Sequence, residues 1–297
     1  MTLLWAMSTS LGGILLKGLL LSHPYPLSLS VGCLGVSSVV YLGLWGTGIR
    51  RSPNVRRVRA RHLPRLGISA LLHALAVVLT IHSVAMGSLS DFLLLRTVQF
   101  TPNLWALGAS LLGVSLSVES MPQSLAVLAS NLSLTAQSHI RFDSKRFRGS
   151  HNLYGVINIL SFVLLLPVAF AVEGMEPWKG LLLRQQEERG LLLRFLGYSL
   201  CNVAGGEVAF RVFRRHGFQD VALSDTARRI LSLLVVATTL GETVSVEGTL
   251  LAFGGLYWTT TKSSSALHAA SGFRQRSRSD SESSFTSSSL RSSSSFK

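Results

Sequence analysis

Apolar runs of about 20 residues, divided by short basic segments, constrain this chain more than any other feature. They are Leu3 to Ser22, Pro26 to Ile49, Leu66 to Ser88, Phe92 to Val118, Met121 to Ile140, Leu153 to Val172, Leu191 to Phe213, Val221 to Leu240 and Val244 to Thr261. Most are long enough to cross a hydrocarbon core as a helix. Composition agrees: 47% of the 297 residues are hydrophobic and only 14% charged, against about 25% charged in an ordinary soluble domain. A soluble fold of this length needs far more polar surface. Soluble enzymes, disordered chains and disulfide scaffolds are thereby excluded. The sequence predicts an all-α, polytopic membrane bundle with nine apolar spans.

The formal net charge of +14 does not point to nucleic acid. The basic residues concentrate between apolar runs, where membrane topology accounts for them. Arg50, Arg51, Arg56, Arg57, Arg59, Arg61 and Arg65 follow the second run with no acid among them. By the positive-inside bias this loop is cytosolic, and the N-terminus shares its side. The first run lacks a basic leader and a small-residue cleavage motif, so it reads as a retained helix and not a signal peptide. From Lys262 the chain turns Ser-rich with scattered Arg. That change divides it into a membrane domain over 1–262 and a disordered cytosolic tail over 263–297. Cys33 and Cys201 sit singly in apolar stretches and read as small hydrophobes.

Charge parity raises a difficulty at Phe92 to Val118. If that run crosses once, Arg141, Lys145, Arg146 and Arg148 fall on the outer side, as do Arg211, Arg214 and Arg215. Two crossings return all of them, and the tail, to the cytosolic side. Yet the run is too short for two helices of about 20 residues each.

Arg228 and Arg229 stand in the middle of Val221 to Leu240. An arginine at a helix centre costs about 2.5–3.5 kcal/mol on insertion scales. Two neighbours must therefore face the protein interior or a water-filled cavity and meet an anion. The guanidinium fork binds phosphate oxygens bidentately and keeps its charge. The structural alternative is Asp225, three and four residues earlier, at the spacing of a helical ion pair. Glu207 is expected to pair with Arg211 one turn on, with proton coupling as its functional alternative. Asp91 and Glu119 mark helix ends. Gly205-Gly206 and Gly254-Gly255 read as close helix contacts, and Asn131-Leu132-Ser133 matches a glycosylation sequon but lies inside a span, so it reads as a false positive. There is no nucleophile elbow, His-Glu-x-x-His, paired metal spacing or P-loop, so neither an enzyme nor a cofactor is expected.

Short motifs then fall in a particular order. Gly12-Gly13-Ile14 leads through Leu16-Lys17 to His23-Pro24-Tyr25-Pro26, and His73-Ala74-Leu75 opens the third run. Gly113-Val114-Ser115-Leu116, Ser130-Asn131-Leu132-Ser133 and Leu166-Pro167-Val168-Ala169 with Glu173-Gly174 come next. Arg228-Arg229-Ile230, Leu240-Gly241-Glu242, Gly248 and Gly255-Leu256-Tyr257 complete the series. Together, over residues 1–262, they resemble the triose-phosphate translocator family of sugar-phosphate transporters. The resemblance implies ten helices in two inverted halves of the drug/metabolite-transporter type, with a substrate site near the midplane. It implies exchange of a small phosphorylated metabolite for inorganic phosphate, in a plastid-type envelope or a Golgi or ER membrane. Against that pattern the chain is short by about 15–20 residues just after Pro102, part of the fourth and fifth helices. A skipped exon or faulty gene model is the expected cause.

The resemblance also assigns a site. The family's Lys-Arg pair on substrate phosphate falls on Arg228 and Arg229. Thr80 matches a phosphate-contacting Thr/Ser, although a mid-helix threonine more commonly bonds its own backbone. Val77 stands where the family has histidine. The fourth-helix lysine is lost near Thr97-Val98-Gln99, which leaves Gln99 in place and Arg96 to substitute. A sixth-helix arginine reads Gln137, with Arg141 as a snorkelling anchor. An eighth-helix tyrosine reads Cys201, with Tyr198 one turn earlier. The pocket so drawn carries less positive charge than the family's. A nucleotide-sugar transporter of the same superfamily and a degenerate, non-transporting scaffold are the alternatives.

Overall fold

A computed structural model describes residues 2–53, 63–96, 121–139, 150–183, 190–215 and 218–241. Among the described residues the chain is helical, with no strand. The helices are α1 (Thr2–Ser22), α2 (Pro26–Gly46), α3 (Leu63–Met86), α4 (Leu89–Leu95) and α5 (Met121–His139). They continue with α6 (Ser150–Glu173), α7 (Glu176–Leu183), α8 (Leu191–Arg215) and α9 (Phe218–Leu240). Local chemistry sets their ends. Pro26 opens α2, where its fixed φ suits the first turn and its missing N–H costs nothing. Gly174, at φ 70°, stops α6 in the left-handed conformation that a helix C-terminus favours. Ser88 caps α4 by accepting from the Asp91 amide at 3.0 Å, which places Asp91 at a helix start as expected.

Four segments are long and apolar enough to cross a membrane: Leu3–Ser22, Pro26–Gly46, Leu63–Met86 and Asn152–Glu173. This narrows the expectation of nine apolar spans. Helices α5, α8 and α9 have the length, at 19, 25 and 23 residues, but they carry polar or charged groups. Gln123 and Asn131 of α5 and Arg228 and Arg229 of α9 are buried. Their polar faces turn inward, so average apolarity understates their fit to the bundle. The run from Phe92 is broken early, because α4 stops at Leu95. Residues 97–120, the run Val244 to Thr261 and the tail 263–297 lie outside the described residues.

Helix directions follow from close approaches. Ser8 Oγ donates to the Cys201 carbonyl at 2.6 Å, and Gly197 faces Leu15, so α1 and α8 run antiparallel. Ser130 Oγ donates to the Ala76 carbonyl at 3.0 Å and Gln123 Nε2 to the Ser88 carbonyl at 2.7 Å, so α3 and α5 do the same. Gly35 of α2 admits Phe162 of α6, and Gly155 of α6 admits Tyr41 and Trp45. Helix α2 also packs on α8 and α6 on α3, while α1 meets α9 and α5 meets α4. Helix α1 also meets α3 and α4, and α2 meets α3. By the Gly35 and Gly155 contacts α2 runs antiparallel to α6, whereas α3 and α6 run parallel, with Leu66 packed on Leu153 and Ala70 accepting from Ser161.

The same contacts bear on the parity difficulty. Gln123, in the first turn of α5, reaches Gly87 and Ser88 just past α3. Helix α5 therefore starts at the end of the bundle where α3 stops. Trp45 Nε1 donates to Asn152 Oδ1 at 3.1 Å and Asn152 Nδ2 to the Arg51 carbonyl at 3.1 Å. The start of α6 thus shares an end with Arg50 and Arg51, the arrangement the basic segments call for.

One core joins these helices. Leu16 and Leu19 of α1, Cys33 of α2, Ile81 of α3, Leu93 of α4, Val127 of α5, Phe195 of α8 and Leu233 of α9 pack together. Both cysteines are free thiols, Cys33 fully buried. Gly206 lies flat against the Tyr154 ring and Gly205 beside Ser8, as expected of close contacts. Asn131 is buried and donates to the Leu95 carbonyl at 3.3 Å.

Candidate functional site

Helix α9 turns Arg228 and Arg229 into the bundle, where they are 7% and 3% exposed. They meet different neighbours because adjacent helical residues point about 100° apart. Arg228 faces α1. Its guanidinium carbon lies 4.4 Å from the centre of the Trp5 ring, and Nη1 donates to Thr9 Oγ1 at 3.2 Å. One turn on, Ser232 Oγ donates to the Ala6 carbonyl at 3.4 Å. Arg229 faces α4, where its Nη1 donates to the Arg96 carbonyl.

Arg96 continues the polar line away from α9. It caps the C-terminal end of α4, lies 5.4 Å from the Phe92 ring centre and donates from Nη1 to Thr80 Oγ1 at 3.4 Å. Thr80 shares a hydrogen bond of 2.9 Å with Ser130 Oγ on α5. Arg229, Arg96, Thr80 and Ser130 thus link α9, α4, α3 and α5. An arginine on α9 and one at the end of α4 come into direct contact. Both Arg228 and Arg96 lie over an aromatic face, which stabilises a cation in a low-dielectric setting.

Of the remaining residues expected at a site, Tyr198 lies near Arg96 and Gln137 lies apart. Tyr198 is buried in the core with Leu16 and Leu93, its hydroxyl toward Cys33 and within electrostatic reach of Arg96. Gln137 stands beside His73, whose other polar neighbour is Asn158 and whose ring meets Tyr154 edge-on at 5.7 Å. That places Gln137 about two turns of α3 from Thr80. Gln99 and Arg141 lie outside the described residues, as does the side chain of Asp225. Among the described residues no group of three His, Cys, Asp or Glu could hold a metal.

Several polar residues were not legible in advance. Trp5 and Thr9 lie in a run that reads simply as apolar. Ser130 was part of a motif, without a role. Lys17 donates to the Val84 carbonyl at 3.3 Å and to the Gly87 carbonyl, completing the exposed end of α3. Glu173 receives the Leu27 and Ser28 amides at 3.0 and 2.8 Å and the Ser28 hydroxyl, capping α2 from another helix. Glu207, expected to pair with Arg211, is held across the bundle by Arg50 and Tyr41. A lone charge in an apolar run signals that a partner is required, but not which one.

Compared with known proteins, the chain matches no family model, and no curated protein is similar to it.

Proposed function

We propose that this chain is a membrane antiporter exchanging a small phosphorylated metabolite for inorganic phosphate by alternating access. The phosphoryl group is held by Arg228 and Arg229, with Arg96 and Thr80 beside them. The observation that carries the reading is the burial of two adjacent arginines where α9 meets α1 and α4. Guanidinium groups at this depth are tolerated where they line a cavity or meet an anion. A phosphate monoester, nearly doubly negative and rich in acceptors, complements two forks. The membrane, plastid-type envelope or Golgi/ER, rests on the family resemblance alone.

The test is counterflow into liposomes holding the purified full chain and loaded with unlabelled phosphate. Uptake of labelled phosphate, inhibited by external triose phosphate, is the expected result. Inhibition by nucleotide sugars alone would move the chain to that branch. Absence of exchange by well-folded protein would leave the scaffold reading.

A further inference from the structure

We propose that Trp5 and Thr9 on α1 are positioning residues for the transported anion, setting the plane and rotation of the Arg228 fork. This rests on the antiporter reading and adds a wall of the site that the arginine pair did not reveal.

The argument begins with the Thr9 hydroxyl. It donates to the Trp5 carbonyl one turn back, at 2.8 Å. A hydroxyl has one hydrogen, so toward any other group Thr9 acts only as an acceptor. A cationic N–H is what it suits, and Arg228 Nη1 lies 3.2 Å away. The ring of the same Trp5 takes the face of that guanidinium, 4.4 Å from its centre. A ring on the face and an acceptor on one edge together fix a planar group in both tilt and rotation. Bidentate recognition of phosphate requires this, because the two parallel N–H bonds lie in the guanidinium plane. The Ser232 bond to the Ala6 carbonyl holds the same stretch of α1 against α9, and Trp5 and Ala6 are both buried. Shelf and fork are therefore parts of one contact.

The experiment measures phosphate/phosphate exchange by the full chain in proteoliposomes, with KM and Vmax separated. Thr9→Val keeps shape but removes the acceptor, and Trp5→Leu keeps an apolar but smaller side chain and removes the π face. Each is expected to raise KM for phosphate about tenfold, with Vmax near wild type. Thr9→Ser restores the acceptor and should restore KM; Trp5→Phe should fall between. Phosphate-induced change in tryptophan fluorescence of the solubilised protein, reduced in Trp5→Phe, provides a readout independent of transport. Unchanged KM in both Thr9→Val and Trp5→Leu overturns the inference while leaving the antiporter standing. A Thr9→Ser variant as weak as Thr9→Val overturns it as well, since packing would then be the cause. If wild type neither exchanges nor binds phosphate, the antiporter reading itself has failed and this inference falls with it.

Discussion

Glu207 of α8 receives both arms of Arg50, which lies just past the end of α2, at 2.7 and 2.9 Å. The Tyr41 hydroxyl donates to the same carboxylate at 2.7 Å. The fork-on-carboxylate geometry is the strong form of this interaction. With side chains 22% and 13% exposed, the pair is screened less than a surface bridge yet is not sealed in the core. It ties two helices at the end of the bundle where the basic segments gather. Glu207 thereby ties α8 to the segment that follows α2.

This tie should be measurable by a double-mutant cycle. Glu207→Gln and Arg50→Gln are each expected to destabilise the solubilised protein, with a coupling of about 1–3 kcal/mol between them. Thermal unfolding of the two single variants and the double variant checks it. Strictly additive losses would mean that the pair contributes nothing as a pair.

The cap that Glu173 supplies to α2 makes a second expectation. Glu173→Ala leaves the Leu27 and Ser28 amides without their acceptor and should cost about 1 kcal/mol or more. Glu173→Gln retains one good acceptor and should lose less. Both are read from the unfolding midpoint in one detergent.

Two glycines of the bundle should respond in opposite ways. A Cβ on Gly206 would lie 2.6 Å from the Tyr154 hydroxyl. Gly206→Ala must therefore push ring or helix aside, at about 1–3 kcal/mol. A Cβ on Gly43, inside α2, meets nothing within 4 Å. Gly43→Ala should be neutral or add about 0.5–1 kcal/mol through helix propensity. Thermal stability of the two variants side by side decides it.

These examples also show what a linear sequence carries. Helix positions were legible because hydrocarbon thickness imposes a length that recurs along the chain: the run Leu3 to Ser22 became α1, and Leu191 to Phe213 became α8. The inward face of Arg228 and Arg229 was legible from solvation cost alone. Partners were not. Arg50 meets Glu207 and Thr9 meets Arg228 through the fold, and no local spacing encodes such distant pairs. Helical spacing favoured Arg211 for Glu207; the side chain of Arg211 lies outside the described residues, and the fold brings Arg50, just past α2, onto the same carboxylate. Apolarity also failed at α5 and α9, whose inward polar faces lower their averages while suiting their positions. Resemblance placed Gln137 at the site, whereas its position on α5 sets it beside His73.

The central claim is that the buried arginine pair exists to meet a phosphoryl group. Phosphate counterflow by wild type, Arg229→Lys and Arg229→Gln, reconstituted at equal density and checked for fold, tests it most directly. Wild type should exchange phosphate, Arg229→Lys should retain part of the rate, and Arg229→Gln should lose about 10–100-fold. Exchange by Arg229→Gln at the wild-type rate would contradict the account.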